Sequence, residues 1–175
     1  MDDAGARAVG ISLWLVPEGE VAAVLTRLIE DLAAELGTPT FPPHVTLLGG
    51  LRGREGDVLR KAREMAAALE PLTLPLGPVT GRDDHFRGLF VRIPETLKLL
   101  TTHAQARITY RIANEAPFEP HLSLAYGRFS VAERERLALA TAPRIAPRMS
   151  CSALEVMHTQ GAVADWRRIA RLEMG

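Results

Sequence analysis

Two pentapeptides, one in each half of the chain, repeat a single pattern: Pro43-His44-Val45-Thr46-Leu47 and Pro120-His121-Leu122-Ser123-Leu124. Side chains alternate across a β-strand. In each box the imidazole and the hydroxyl two residues later therefore share one side, and Val45 or Leu122 faces the other, into a core. Two such strands side by side would form a pocket holding two imidazoles and two hydroxyls. Imidazole titrates near pH 6.5, so one histidine can accept a proton while the other donates one. Cleaving a phosphodiester or a cyclic phosphate needs both roles: a base for the attacking water or hydroxyl, and an acid for the departing oxygen. Thr46 and Ser123 can donate hydrogen bonds to the non-bridging oxygens. The scheme needs no metal and no cofactor. Neither box has beside it the carboxylate that usually accompanies two histidines in a metal site.

Those boxes must be carried by a framework that the composition limits. The chain has 175 residues, 47 % of them hydrophobic, enough for the core of one domain spanning residues 1–175 or of two small pseudo-symmetric lobes. Lys plus Arg and Asp plus Glu are both 21, so the formal net charge is zero, which argues against non-specific binding to long nucleic acid. A small phosphorylated ligand remains compatible with that balance. No apolar run approaches the roughly 20 residues needed to cross a bilayer, and the N-terminus, Met1-Asp2-Asp3-Ala4-Gly5, is acidic and unlike a secretory signal. No membrane partner is expected, and the reading is a soluble cytoplasmic monomer. Cys151 is the only cysteine, which excludes an intrachain disulfide and disfavours thiolate metal sites.

Val9 to Val16 reads as a strand. A helix after Pro17 follows from Val21, Leu25, Leu28, Ile29 and Leu32 at helical spacing, with Gly37 as its terminator. Thr38 to Pro43 is a proline loop into the first box, whose strand is expected from His44 to Leu48 and to end at Gly49-Gly50. A helix over 55–69 comes next, then short strands over 72–76, 79–81 and 89–93. Pro94 opens a third helix with Leu97, Leu100, Ala104 and Ile108 expected to face inward. Residues 115–120 form a second proline loop into the second box. Ser130 and Glu133 have capping-box spacing for a helix through about Ala140. Residues 148–157 and 167–173 read as closing strands. The alternation of helices and short strands favours an α+β fold with largely antiparallel sheets.

The boxes His44-Val45-Thr46-Leu47 and His121-Leu122-Ser123-Leu124 resemble the paired H-x-[T/S]-x motifs of the 2H phosphoesterases. The flanking Ser12-Leu13-Trp14-Leu15-Val16-Pro17 and Leu124-Ala125-Tyr126-Gly127 are similar to those of the cyclic nucleotide phosphodiesterases that act on ADP-ribose 1″,2″-cyclic phosphate. The resemblance implies two pseudo-symmetric lobes of antiparallel sheet, with outer helices, around a central cleft. It implies metal-independent opening of a small cyclic-phosphate nucleotide to a monoester, with His44 and His121 as the acid/base pair and Thr46 and Ser123 as phosphate ligands. Tyr126 matches an aromatic near the phosphate, Trp14 would stack on a base or sugar, and Phe86 would do likewise across the cleft. Two alternatives stay open: RNA processing at 2′,5′ linkages or 2′,3′-cyclic RNA ends, and a binding module without turnover.

The remaining candidates have blander readings. His85 and His103 have no partner box and are read as surface positions; Asp83-Asp84-His85 is read as a solvated turn. His158 is divided between cleft edge and surface. Arg52, Arg54, Arg87 and Arg128 could meet a second phosphate but are mostly solvated. Cys151 is read as buried on a strand, with no adjacent base to activate it. Strict alternation would put Tyr126 on the face opposite His121, so a bend near Tyr126-Gly127 is needed to bring it to the cleft.

Overall fold

Alternation decides the architecture. The computed structural model describes residues 7–113 and 117–175; the acidic N-terminal residues 1–5 and the start of the second proline loop, Glu115 and Ala116, lie outside the described residues. The main sheet is antiparallel. It contains β1 (Ile11–Leu15), β2 (Val45–Leu51), β4 (Val79–Thr80), β5 (Leu89–Arg92), β6 (His121–Ala125), β8 (Ala153–His158) and β9 (Arg167–Glu173) in the order β4-β5-β6-β2-β1-β8-β9. The remaining strands, β3 (Leu72–Pro75) and β7 (Arg148–Cys151), pair only with each other. The closing segment over 148–157 is thus two strands in two sheets, broken at Ser152.

The two box strands are neighbours. β2 and β6 meet through one register pair, Val45 opposite Leu122, both fully buried. Leu13, Leu15, Leu47, Leu124, Leu89 and Val91 share their side of the sheet and join the main apolar core with the helices α1 (Gly19–Leu36), α2 (Glu55–Ala68), α3 (Leu97–Tyr110) and α4 (Val131–Thr141). The helices cross between halves: α1 packs on β6 and α3 on β2. That leaves the opposite face of β1, β2 and β6 for Ser12, Trp14, Thr46, His121 and Ser123.

Local chemistry accounts for most boundaries. α1 buries Leu25, Leu28, Ile29 and Leu32 and stops at Gly37, whose φ of 66° suits a left-handed cap closed by its N–H on the Ala33 carbonyl. The Ser130 hydroxyl accepts from the Glu133 N–H at 3.2 Å and starts α4. Two expectations fail. β2 does not end at Gly49 but runs through both glycines, because Gly50 at φ 69° absorbs a register shift against β1. α3 is turned the other way: Leu97 is 83 % and Ile108 71 % exposed, Leu100 and Ala104 are exposed too, and Leu99, Thr102 and Ala106 face inward. Fully buried Leu99, with Thr102 and Ala106, packs this helix on β2 and β3.

Leu122 is the centre of the junction between halves. Leu122→Ala is expected to cost about 2–5 kcal/mol in urea unfolding, as for other buried leucines, whereas Leu139→Ala, at a position 78 % exposed, should change stability by less than about 0.5 kcal/mol. Equal effects would mean that the junction does not carry the fold.

Candidate active site

The proline loops aim the imidazoles. Proline fixes its own φ and holds the residue before it extended, and each box histidine folds back on the carbonyl two residues earlier. His44 Nδ1 lies 2.6 Å from the Pro42 carbonyl oxygen and His121 Nδ1 2.8 Å from that of Glu119. A carbonyl only accepts, so each Nδ1 carries the hydrogen, and each Nε2 is left for the cavity that both rings line. This cavity measures about 330 Å³ and also takes in Thr46 and Ser123. All four box residues singled out in the sequence therefore meet in one place, as alternation requires.

The surroundings of the two rings differ. His44 is buried, and its ring lies flat on Trp14, centroids 3.5 Å apart and planes 7° apart. Trp14 is 1 % exposed. Trp14 lines the cavity, and one face of its indole is covered by the His44 ring. His121 sits instead beside an ion-pair network. Arg82 holds the Glu119 carboxylate at 2.8 and 3.0 Å, and Arg87 reaches Glu119 at 2.6 Å and Asp84 at 2.9 Å. The residue whose carbonyl orients His121 is thus itself clamped through its side chain.

Tyr126 arrives by the bend that alternation demanded. β6 ends at Ala125, Gly127 has φ 144°, and the phenol ring turns into the cavity and stacks on Phe41 at 3.8 Å. Phe86 lies on a single tight turn, His85–Arg87, that Asp84 caps by accepting from the Phe86 N–H at 3.1 Å. This turn is pinned to the end of β6: the Gly127 N–H donates to the His85 carbonyl at 2.8 Å, and the Ser123 hydroxyl donates to the Phe86 carbonyl at 3.1 Å. Gly88 makes the approach possible, since a Cβ there would fall 2.3 Å from the Gly127 oxygen. Ser123 is therefore already engaged, while the Thr46 hydroxyl has no hydrogen-bond partner among the described residues.

Burial dominates the titrations. It pulls His44 down to about 4; the hydrogen bond to Pro42 opposes this, and the charge of His121 adds to it. Burial also lowers His121, but the Glu119 carbonyl and the carboxylates of Glu119 and Asp84 oppose it, with Arg87 on the lowering side. Burial raises Tyr126, so the phenol stays protonated.

The other sequence candidates fall outside the cavity, with two exceptions. Arg87 and Asp84 line it; Arg128 pairs with Asp83 at 3.2 Å, and Arg52 and Arg54 are exposed. His85 and His103 are half-buried rather than surface residues: His85 faces Tyr126, and His103 stacks on Phe118 at 3.8 Å. His158 is half-buried at the end of β8. Cys151 is buried, and burial pushes its thiol up to about 12. Trp166 and Thr159 are cavity residues that sequence reasoning missed. Trp166 follows the turn Val163–Asp165 and meets Trp14 edge-on at 5.8 Å. Tryptophan's scarcity, two in the chain, was the available signal. Thr159, 2.8 Å from the Ser12 hydroxyl, carried none.

Native His44 holds its proton less tightly than the unfolded chain does. Between about pH 6.5 and pH 4 the unfolded state binds the extra proton, so stability is full above that window and falls through it on acidification. The whole effect reaches about 3 kcal/mol. Denaturant unfolding of wild type and His44→Gln should show a shallower pH slope in the variant; parallel slopes would refute a buried, neutral His44.

Residues 9–174 match the cyclic phosphodiesterase-like protein family. A cyclic phosphodiesterase of Arabidopsis thaliana is 23 % identical over 124 residues, 71 % of this chain and 68 % of that protein. The fold is similar to TT0787 of Thermus thermophilus, with a TM-score of 0.61 at 19 % identity over 95 % of this chain and 98 % of that one. It is also similar to LigT of E. coli in its apo form, with a TM-score of 0.60 at 13 % identity over 97 % and 99 %. No described helix is long and apolar enough to cross a membrane. With two box histidines facing one cavity and the match running almost from end to end, the chain belongs to the cyclic phosphodiesterase-like family of the 2H phosphoesterases, and it is a phosphodiesterase.

Proposed function

We propose that the cavity opens the cyclic phosphate of a small nucleotide, ADP-ribose 1″,2″-cyclic phosphate or a nucleoside 2′,3′-cyclic phosphate, to a phosphomonoester. The observation that carries this reading is the pair of Nδ1-anchored imidazoles that line one cavity with two hydroxyls. Water attacks phosphorus, and His44 Nε2 takes its proton. The bond from phosphorus to the ribose oxygen breaks, and His121 Nε2 gives its proton to that oxygen. Solvent then returns a proton from His44 to His121. The base role goes to His44, which burial keeps unprotonated down to about 4; the acid role goes to His121, the less buried ring, whose lowering by burial and Arg87 is opposed by the Glu119 carbonyl and the Glu119 and Asp84 carboxylates.

The free Thr46 hydroxyl donates to one non-bridging oxygen. Ser123 donates to another after leaving the Phe86 carbonyl. Phe86, Tyr126 and Trp166 wall the pocket against water, and Trp14 positions His44. LigT of E. coli has been crystallised with 3′-AMP, with NADP+ and with ATP, which supports a nucleotide ligand for this fold. No step is routed through a metal ion.

Hydrolysis of both cyclic phosphates in excess EDTA tests this. Wild type should turn over at least one of them, and His44→Ala and His121→Ala should each lose about 10²–10⁴-fold in kcat. Chelator-sensitive activity, or a folded His variant with full activity, would sink the mechanism. The pH profile of kcat/KM should be a bell. The base must be unprotonated, which puts the acid limb near 4; the acid must be protonated, which puts the alkaline limb below the ordinary histidine value. A profile still rising above pH 7 would refute the two-histidine scheme.

A further inference from the structure

A second cavity, of about 530 Å³, opens beyond His121 and shares His121 and Arg87 with the site. β5 supplies its floor: Phe90 stands in register opposite Ser123, and Arg92 opposite His121. Arg82, Arg87 and Glu119 form a wall, and Glu95 lies at the rim. The three guanidiniums are not equivalent. Arg82 and Arg87 are held by Glu119, and Arg87 by Asp84 as well. Arg92 is exposed and makes no side-chain hydrogen bond or ion pair with any described residue, although two carboxylates line the same cavity. A free guanidinium presents a planar fork of donors that matches a phosphate.

The cavity beyond His44 makes the contrast. It measures about 500 Å³, and its cations are Arg168 and Arg171. Both face the buried carboxylate of Glu155, at 2.9 and 3.6 Å. Charge is therefore spent within the protein on the His44 side and available on the His121 side.

We propose that the cavity beyond His121 is a second-phosphate subsite, in which Arg92 binds a phosphate that the substrate carries beyond its cyclic one. This rests on the cyclic-phosphate reading above and narrows it to substrates with at least one further phosphate. That phosphate belongs either to a diphosphate bridge, as in ADP-ribose 1″,2″-cyclic phosphate, or to the phosphodiester of a short oligonucleotide.

Calorimetric binding of ADP and AMP reads the subsite without turnover. Wild type should bind ADP about tenfold more tightly than AMP, the worth of one charge-assisted hydrogen-bonded contact. Arg92→Gln should erase that preference, and Arg92→Lys should restore part of it. Equal binding of the two by wild type, or equal weakening of both in Arg92→Gln, overturns the proposal. Turnover identifies the source. The kcat/KM of ADP-ribose 1″,2″-cyclic phosphate, or of a dinucleotide ending in a 2′,3′-cyclic phosphate, is compared with that of a nucleoside 2′,3′-cyclic phosphate. The ratio that falls about tenfold in Arg92→Gln marks the diphosphate or the oligonucleotide as the ligand. If neither ratio moves, the subsite is refuted. If wild type hydrolyses no cyclic phosphate yet keeps its ADP preference, the cyclic-phosphate reading fails and the subsite stands.

Discussion

The contact between Val45 and Leu122 is the constraint on which everything else rests. Among the described residues it is the one register pair that joins the two halves of the main sheet, and each residue lies directly after its box histidine. Burying these two side chains behind the sheet forces the flanking histidines and hydroxyls to the front. One pair is too little ladder to hold two halves together by hydrogen bonds. The helices do it instead: α1 from the first half lies on β6, and α3 from the second lies on β2. The apolar core is therefore one body across both lobes, and the cleft is its uncovered face.

Pseudo-symmetry brings the two histidines together; departures from it make them different. Both rings are fixed by the same hydrogen bond to the carbonyl two residues back. Beyond that, His44 is enclosed by indole and His121 by ionic groups. An acid/base pair needs two members that do not compete for the same proton state at the same pH, and a duplicated fold would supply two identical ones. The aromatic wall on one side and the Asp84-Arg87-Glu119 network on the other separate them.

Much of this was legible in the chain because it depends on local rules. The boxes needed only alternation. The end of α1 needed one glycine, and the start of α4 one serine. The bend at Tyr126 was visible as a conflict between alternation and the role that the resemblance gave that residue. What could not be read depended on distant surroundings. The inward face of α3 was not legible because the helix carries apolar residues on both sides; the side that turns in, Leu99, Thr102 and Ala106, is set by packing on β2. The division of 148–157 into β7 and β8 turns on which partner each half finds, β3 or β1. Trp166 lies far along the chain from either box and enters the cavity only because β9 pairs with β8, beside β1. Trp14 was placed in the cleft, but nothing in the sequence indicated that His44 would cover its face.

Trp14 and Trp166 are the only tryptophans in the chain, and both wall the same cavity. The indole emission of this protein thus originates wholly at its site, undiluted by any remote indole. One of the two indoles rests against an imidazole whose charge would change during turnover, and a protonated imidazole in contact quenches indole fluorescence. The fold has in effect placed an optical reporter against the imidazole to which the proposed mechanism gives the proton, so that protonation of that ring in the unlabelled protein has a readout in light.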